Sequence, residues 1–173
     1  LLVAPVTMRD RFLEMIREEI EHARAGRPCG ITAKMNSLEE EHIIEALYDA
    51  SRAGVPVELY VRGFCCLRPG VPGSSENIKV VSVIGRFLEH SRIFHFRRGA
   101  EDPLDGAFFI GSSDWMYRNL QERVEVVAPI EDRVAREKMW EILETLRRDR
   151  RQAWDLKSDG SYVLRTPPDG VSP

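Results

Sequence analysis

The sequence predicts an α/β fold in which helices flank a β-sheet. Apolar residues recur at three- and four-residue spacing in three segments, as is typical of amphipathic helices, and short apolar runs bounded by turn residues are typical of strands. Between residues 30 and 61 a strand, a capped helix and a second strand follow one another with short links. This βαβ order favours a parallel pair of strands joined by a right-handed crossover.

The first part of the chain supplies this βαβ unit. Thr7 is placed to cap the first helix, and Gly26 and Pro28 end it. Ser37-Leu-Glu-Glu40 is a capping box that predicts the start of the second helix, which ends near Gly54. The predicted elements are a strand at the start of the chain, a helix over 7–25, a strand over 30–35, a helix over 37–54 and a strand over 56–61.

The second part of the chain continues the sheet. Asp159-Gly160 is a turn signal between two short runs and predicts a closing hairpin. The remaining predicted elements are strands over 77–84, 91–96, 107–110 and 122–127, a helix over 132–149 and hairpin strands over 154–157 and 161–164. With 173 residues and 43% hydrophobic side chains, the sequence predicts one domain over residues 1–165. Residues 166–173, which include three prolines and a glycine, are expected to form a disordered tail.

Composition argues against several classes of protein. The formal net charge of -3 argues against a general nucleic-acid-binding surface, so any anion site must be local. Three cysteines, two of them adjacent, suit neither a disulfide framework nor a zinc site, and a reducing cytoplasm is the expected location. No apolar run approaches the roughly 20 residues that a membrane span needs, and the first residues lack the basic start of a signal peptide. Because the sequence begins without methionine, we expect it to be part of a longer protein.

Arginines, a histidine and small polar residues predict phosphoryl chemistry, with His90 and Arg92 as the catalytic residues. Ligands of open α/β sheets bind beyond the carboxyl ends of strands, and Arg62 directly follows one such strand. If residues 90–96 are extended, His90 and Arg92 lie on the same face of their strand. Guanidinium groups match the geometry of phosphate oxygens, and an imidazole can exchange protons near neutral pH. The predicted phosphate-binding residues are Lys34, Arg62, Arg68, Arg86, His90, Ser113, Arg118 and Asn119.

These candidates also have structural interpretations. An arginine at a strand end, such as Arg62, can simply be solvated, and the same holds for Arg68 and Arg86. The segment Gly111-Ser-Ser-Asp114 is common in turns and helix caps. Lys34 lies in a predicted buried strand, where an ammonium group needs either a partner or a ligand. The residues alone leave these alternatives open.

The other titratable residues define no further site. Three histidines lie in helices among charged residues or on the strand face opposite His90, and we interpret them as structural or solvated. They are His22, His42 and His95. Asp114 and Glu89 are candidates for Mg²⁺, which often takes one or two protein carboxylates, but nothing in their spacing requires it. We therefore assign no metal ligand in this sequence.

Several sequence blocks resemble a known family. His90-Ser-Arg92, followed by the glycine-serine segment at Gly111, resembles a degenerate phospholipase D signature in which arginine replaces lysine. A closer resemblance, which extends up to about Tyr162, is to the carboxy-terminal catalytic domain of bacterial polyphosphate kinase, of the histidine-phosphorylating type. The blocks that carry it are Thr32-Ala-Lys-Met-Asn-Ser37, Ala46-Leu-Tyr-Asp-Ala-Ser51, Val61-Arg-Gly-Phe-Cys-Cys-Leu-Arg68, Ser75-Glu-Asn-Ile78, Gly85-Arg-Phe-Leu-Glu-His-Ser-Arg92 and Ser113-Asp-Trp-Met-Tyr-Arg-Asn119.

This resemblance implies both a fold and an activity. The fold is a phospholipase D-like mixed β-sheet flanked by helices, and the activity is reversible transfer of the terminal phosphate of ATP to inorganic polyphosphate through a phosphohistidine. The family's ATP-contacting arginine and histidine map onto Arg62 and His90. The phosphorylated histidine and the Mg²⁺-binding residues belong to the family's preceding domain, outside this sequence. The implied partners are ATP or ADP, inorganic polyphosphate and the preceding domains, with Mg²⁺ as the cofactor of the full enzyme.

Two other functions stay open. A phosphodiesterase of the phospholipase D type would use His90 as nucleophile or acid, although Arg92 in place of lysine counts against it. A non-catalytic module would bind phosphate or nucleotide without turnover. We predict no nucleic-acid partner and no transmembrane segment, whereas an oligomer or a membrane contact of the whole protein would depend on domains outside this sequence.

Overall fold

The computed structural model describes residues 1–166, in which strands and helices form one mixed sheet with helices on its faces. The strands are β1 (Leu2–Ala4), β2 (Ile31–Met35), β3 (Val57–Val61), β4 (Ile78–Val83), β5 (Ile93–Phe96), β6 (Ala107–Gly111), β7 (Glu125–Ile130), β8 (Ala153–Leu156) and β9 (Tyr162–Leu164). The helices are α1 (Met8–Arg24), α2 (Glu41–Arg52) and α3 (Arg133–Arg148), with a 3₁₀ turn at Pro103–Asp105 and a π-helix at Arg118–Glu122. The predicted α/β class is confirmed.

The sheet brings several strand ends to one edge. Its strand order is β1-β7-β6-β5-β2-β3-β4-β8-β9. Strands β2, β3 and β4 are parallel, as the βαβ prediction requires, and the other pairs are antiparallel. Strand β5 is antiparallel to both β2 and β6, so β6 runs in the same direction as β2, β3 and β4. The carboxyl ends of these four strands therefore lie at the edge of the sheet where β5 begins. The segments that follow four strands therefore meet there.

Two hydrophobic clusters hold the helices on opposite faces of the sheet. Helices α1 and α2 share the larger cluster, in which the rings of Phe12, Phe94 and Trp115 lie within 4.8–5.5 Å of one another, centroid to centroid. Helix α3 packs Leu143 against the smaller cluster, which includes Tyr60 from β3. Since side chains alternate along each strand, both faces are buried and the central strands are apolar. None of the helices within residues 1–166 is long and apolar enough to span a bilayer.

The helix predictions are confirmed in position but not in their caps. Thr7 precedes α1, yet its side chain makes no capping hydrogen bond. The capping-box prediction for Ser37 is wrong, because the N-cap of α2 is Glu40, whose carboxylate accepts the backbone N–H of Ile43 at 2.7 Å. Residues 37–40 are held extended instead, since Leu38 forms β-bridges to two other segments.

Some strand boundaries also differ from the prediction. Strand β5 begins at Ile93, so His90 and Arg92 precede it rather than lying within it. The strand predicted over 122–127 is shifted to Glu125–Ile130, because the π-helix occupies the residues before it. The predicted closing hairpin is confirmed as the antiparallel pair β8 and β9. Residues 167–173, on which most of the predicted tail falls, lie outside the described residues.

Candidate phosphate-binding site

A histidine, an arginine and a carboxylate form a connected series at this sheet edge. Arg92 donates from Nε and Nη2 to the two carboxylate oxygens of Asp114, at 3.0 and 3.2 Å. The same guanidinium donates from Nη1 to Nδ1 of His90 at 2.9 Å and to the His90 carbonyl at 2.8 Å. The sequence-predicted pair His90 and Arg92 is therefore brought together, although through the loop before β5 rather than along a strand.

The segment that carries His90 is anchored on both sides. Lys34, on β2, donates from Nζ to the Ser91 carbonyl at 2.8 Å and lies 3.5 Å from a carboxylate oxygen of Glu89. The same Glu89 oxygen accepts the backbone N–H of Ser91 at 2.8 Å. Arg62, at the end of β3, donates from Nη1 to the Glu89 carbonyl at 3.3 Å. Both neighbours of His90 in the chain are thus fixed by cations from two parallel strands.

The ionisation of Lys34 and Glu89 reflects this packing. Burial lowers the pKa of the Lys34 ammonium, which is only 6% exposed, and the attraction of Glu89 offsets part of that effect. Hydrogen bonds from Ser91, followed by the charge of Lys34, lower the pKa of Glu89 to about 2. Glu89 is therefore ionised at neutral pH and can act as the counter-ion of the buried lysine.

Two hydrogen-bond donors of the cluster remain available to a ligand. A guanidinium can only donate, so the contact with Arg92 requires that Nδ1 of His90 accepts and that a neutral ring carries its proton on Nε2. His90 is exposed, and its Nε2–H has no partner among the described residues. The guanidinium of Arg62 uses only one of its N–H groups within residues 1–166. It also lines a cleft of about 740 Å³, together with aromatic residues of β8 and β9.

The other predicted phosphate-binding residues do not join this cluster. Arg68 lies farther along the cleft and donates to the Ser158 carbonyl at 3.3 Å. Arg86 is exposed, with its guanidinium 5.8 Å from the centre of the Phe87 ring, and Arg118 is exposed at the start of the π-helix.

Two predicted donors point into the protein. Ser113 is fully buried, and its hydroxyl donates to the carbonyl of Asp114 at 2.9 Å. Asn119 is also buried and donates from its amide to a carboxylate oxygen of Glu125 at 2.8 Å. Their hydrogen bonds stabilise the turn after β6 and the π-helix in this structure.

Sequence reasoning missed the residue that completes the site. Asn36 follows β2 directly and donates to Asp114 from its backbone N–H at 2.7 Å and from its side chain at 3.3 Å. Its position at the carboxyl end of a parallel strand was a usable signal. The sequence offers Asp114 as a turn residue or a Mg²⁺ candidate, whereas the structure places its carboxylate against Arg92 and Asn36.

The described residues do not form a metal site of their own. No group of three or more His, Cys, Asp or Glu side chains within residues 1–166 could hold an ion. The carboxylate of Asp114 already accepts from Arg92, and that of Glu89 faces Lys34. The cation beside each carboxylate disfavours Mg²⁺ there, because a second positive charge would have to bind next to the first.

The fold and the cluster define a class of protein, namely an α/β domain with a candidate anion site at the carboxyl ends of its parallel strands. Residues 1–171 match the family model described as polyphosphate kinase C-terminal domain 2, so the chain belongs to that family. A polyphosphate kinase of Thermosynechococcus vestitus is 55% identical over 170 residues, which are 98% of this chain and 23% of the relative. One of Pseudomonas aeruginosa is 49% identical over 173 residues, all of this chain and 24% of the relative.

Solved structures agree with this assignment. The crystal structure of polyphosphate kinase from Porphyromonas gingivalis superposes with a TM-score of 0.91 at 38% identity, and covers 98% of this chain and 26% of that protein. Nuc from Salmonella typhimurium, a phospholipase D family member, superposes with a TM-score of 0.60 at 16% identity over 91% of this chain and 96% of that protein. The second likeness shows the fold alone and confirms the phospholipase D-like sheet. The chain spans about a quarter of the length of these polyphosphate kinases.

Proposed function

We propose that this chain forms one half of a polyphosphate kinase active site. The whole enzyme would transfer the terminal phosphate of ATP reversibly to inorganic polyphosphate, through a phosphohistidine supplied by the preceding part of the polypeptide. The observation that carries the proposal is the location of Arg62 and His90 at one sheet edge, where Arg62 contacts the residue before His90 and both side chains keep available donors, in a chain of this family. The single chain would supply charge and hydrogen bonds rather than the covalent intermediate.

The chemistry of phosphoryl transfer suits these residues. The transition state spreads negative charge over the phosphoryl oxygens, and the protein's main tasks are positioning and charge stabilisation. Arg62 would bind phosphate oxygens through its free N–H groups. The Nε2–H of His90 would donate to an oxygen on which charge develops. Arg92 would contribute charge and hold the imidazole.

The phosphodiesterase alternative is not favoured. A nucleophilic histidine needs a free lone pair on Nε2, so its Nδ1 must carry the proton and donate it to an acceptor. In this chain Nδ1 of His90 faces the guanidinium of Arg92, which offers no acceptor. The relatives that span this chain are named polyphosphate kinases, and the likeness to a phospholipase D family member extends only to the fold.

Mg²⁺ is proposed as the cofactor of the full enzyme. It would neutralise charge on the transferred phosphoryl group, and its protein ligands would lie outside this chain, because the local carboxylates are paired with cations. ATP or ADP, polyphosphate and the preceding domains are the proposed partners. The free thiols of all three cysteines support a reducing cytoplasm as the location.

ATP-dependent polyphosphate formation by the full-length protein tests this proposal. The wild-type protein is expected to make polyphosphate, and His90→Ala to lose that activity while keeping its fold, because His90 is exposed. His22→Ala is the control, since His22 lies near the end of α1 that leads into the start of β2, at the opposite edge of the sheet. Wild-type synthesis by His90→Ala would remove the histidine from the site, and hydrolysis of phosphodiesters without polyphosphate synthesis would favour the alternative.

A further inference from the structure

We propose that Asp114 is a positioning residue, which fixes both the orientation and the tautomer of His90 through Arg92. The proposal rests on the proposed function, in which His90 acts as a hydrogen-bond donor. It assigns a role to a buried carboxylate that touches neither the proposed phosphate site nor the solvent directly.

The first step concerns the burial of Asp114. The residue is 5% exposed, and a carboxylate in such a place is costly unless charges and hydrogen bonds compensate it. The compensation comes from two sides, because Asn36 supplies two donors and Arg92 supplies two more. Asn36 belongs to the loop after β2, so the carboxylate is fixed relative to the central strands of the sheet.

The second step concerns the plane of the guanidinium. Arg92 meets Asp114 with two donors on the two carboxylate oxygens, a fork geometry that fixes the direction of the whole planar group. The Arg92 side chain is only 11% exposed, so solvent does not compete strongly for it. The remaining nitrogen, Nη1, is thereby directed at His90.

The third step concerns the imidazole. Nη1 of Arg92 contacts both Nδ1 and the backbone carbonyl of His90, so the ring is held relative to its own main chain. Because Nδ1 must accept, a neutral ring carries its proton on Nε2, on the side away from Arg92. Through Arg92, the carboxylate of Asp114 therefore determines that Nε2 of His90 is the nitrogen that faces a ligand as a donor.

Asp114→Asn in the full-length protein is the informative substitution. The amide keeps Oδ1 as an acceptor for Asn36 and for Nε of Arg92, but it turns an NH₂ group toward Nη2 of Arg92, which can only donate. The two-point fork that fixes the direction of the guanidinium is therefore broken. We expect kcat for polyphosphate synthesis to fall on the order of 10- to 100-fold, as is typical when a reacting group is misplaced by about 1 Å. KM for ATP is expected to stay unchanged, because Arg62 makes no contact with Asp114 or Arg92 among its hydrogen bonds.

A matched control removes a similar ion pair elsewhere. Asp155 accepts from Nε of Arg165 at 2.8 Å, and Nη2 of Arg165 lies 2.7 Å from the same oxygen, in the hairpin that ends the strand order of the sheet. Asp155→Asn should leave kcat and KM at their wild-type values. Equal losses in the two variants would show a general effect of losing an Arg–Asp pair and would overturn the proposal.

A double-mutant cycle separates positioning from an independent structural role. If Asp114 acts through Arg92, Asp114→Asn should cause no further loss of kcat in an Arg92→Met background. Losses that multiply in the double variant would show that Asp114 acts by another route. That result would overturn the inference.

A spectroscopic measurement keeps the test independent of catalysis and of variants that fold poorly. Solid-state ¹⁵N spectra of histidine-labelled full-length protein distinguish protonated from unprotonated ring nitrogens, and the His90 signal is identified by its loss in His90→Gln. We expect an unprotonated Nδ1 and a protonated Nε2 in the wild type, and a mixture of tautomers in Asp114→Asn.

A wild-type ring protonated on Nδ1, or an unchanged spectrum in the variant, would refute the inference. Absence of polyphosphate synthesis by the wild type would instead refute the proposed function and leave this readout valid.

Discussion

Arg62 is held by its backbone, which leaves its side chain available. Its N–H donates to the Met35 carbonyl at 3.2 Å, and its own carbonyl accepts from the Ser82 hydroxyl at 2.9 Å. The next residue, Gly63, lies so close to the loop after β2 that a Cβ there would come within 2.9 Å of the Asn36 carbonyl oxygen. A rigid main chain with a partly free guanidinium is the arrangement that a phosphate-binding arginine needs.

Arg62→Ala should therefore weaken ATP binding by the full-length protein. Loss of a charge-assisted hydrogen bond costs about 1.5–3 kcal/mol, which corresponds to a roughly 10- to 150-fold rise in Kd. Isothermal titration calorimetry measures this change. Arg52→Ala is the control, since Arg52 is exposed on α2 and, among residues 1–166, its side chain pairs with Asp49 alone. An unchanged Kd for Arg62→Ala would make Arg62 a solvated strand-end residue.

His95 lies within β5, the strand that follows His90, and its environment is the opposite of that of His90. It is 2% exposed, its ring packs against Phe108 and Trp140, and Nε2 lies 2.9 Å from the Pro103 carbonyl. Burial lowers its pKa to about 4, so it is neutral at physiological pH. The sequence-based interpretation of His95 as structural agrees with this environment.

The lowered pKa of His95 predicts a loss of stability in acid. Below the unfolded pKa of 6.5 the unfolded chain binds a proton that the folded chain does not, so the free energy of unfolding falls as pH drops towards 4. A difference of this size corresponds to roughly 3 kcal/mol. Urea denaturation at pH 7 and pH 4.5 should show a smaller fall for His95→Phe than for the wild type. Equal pH dependence in the wild type and in His95→Phe would contradict the assignment.

The sequence was sufficient for the site residues that lie near one another in the chain. His90 and Arg92 are two residues apart, and Arg62 follows a recognisable strand, so local pattern and fold class located them. Asp114 is 22 residues from Arg92 and 78 residues from Asn36, and these contacts depend on the register of β5 and β6 between β2 and β7. Pairing of that kind is set by tertiary packing, which residue spacing does not reveal.

At the scale of elements, the segment between β4 and β5 determines where His90 lies. Residues 84–92 have no regular structure, and their attachment near His90 comes from Lys34 and Arg62. Lys34 is a buried cation whose own stability contribution is small or negative, because taking an ammonium group out of water is costly. Its structural role is the contact that it makes with the Ser91 carbonyl.

Lys34→Met should loosen this segment without lowering global stability. The Ser91 carbonyl would lose a charged donor worth about 1.5–3 kcal/mol, whereas methionine fills a similar apolar volume. We expect amide hydrogen exchange across residues 84–92 to become roughly tenfold faster or more, with no fall in the urea midpoint. Lys79→Met, at an exposed position on β4, should change neither quantity. Unchanged exchange in Lys34→Met would show that other contacts hold the segment.

The start of α2 shows why one element boundary was predicted wrongly. The Ser-x-x-Glu pattern is a sound local signal, but Leu38 pairs through its backbone with the loops that contain Cys65 and Trp115. Those long-range bonds keep residues 37–40 extended and move the cap to Glu40. Fold class, helix order and the parallel pair followed from local patterns, whereas this boundary was set by distant segments.

Substitutions at the two candidate caps distinguish these interpretations. Glu40→Ala should lower the free energy of unfolding by about 1 kcal/mol, because the N–H of Ile43 loses its acceptor. Glu40→Gln retains an acceptor and should cost less, and Ser37→Ala should cost least, since the Ser37 hydroxyl makes no hydrogen bond within the described part of the chain. Urea denaturation gives all three values. A larger loss of unfolding free energy in Ser37→Ala than in Glu40→Ala would support the capping box at Ser37 instead.

At the scale of the whole molecule, the proposed site is open on one side. Ile84, Phe87 and Leu88 flank His90 with exposed fractions of 61%, 82% and 74%. Contiguous exposed apolar side chains beside a functional group are typical of a surface that another part of a protein covers. Under the proposed function, the preceding part of the polypeptide would cover this side.

An open half-site should bind nucleotide without turning it over. The 173-residue chain alone is expected to bind ATP through Arg62, with an affinity that falls as salt rises, because exposed charges are screened at high ionic strength. It should make no polyphosphate, since the phosphohistidine is proposed to lie in the preceding part of the protein.

Calorimetry of the 173-residue chain at low and high salt, with Arg62→Ala as the control for site-specific binding, measures the first expectation. A polyphosphate assay of the chain and of the full-length protein measures the second. Synthesis by the chain alone would show that one half contains the complete machinery, and salt-independent binding would place the nucleotide in an apolar pocket rather than on the arginine.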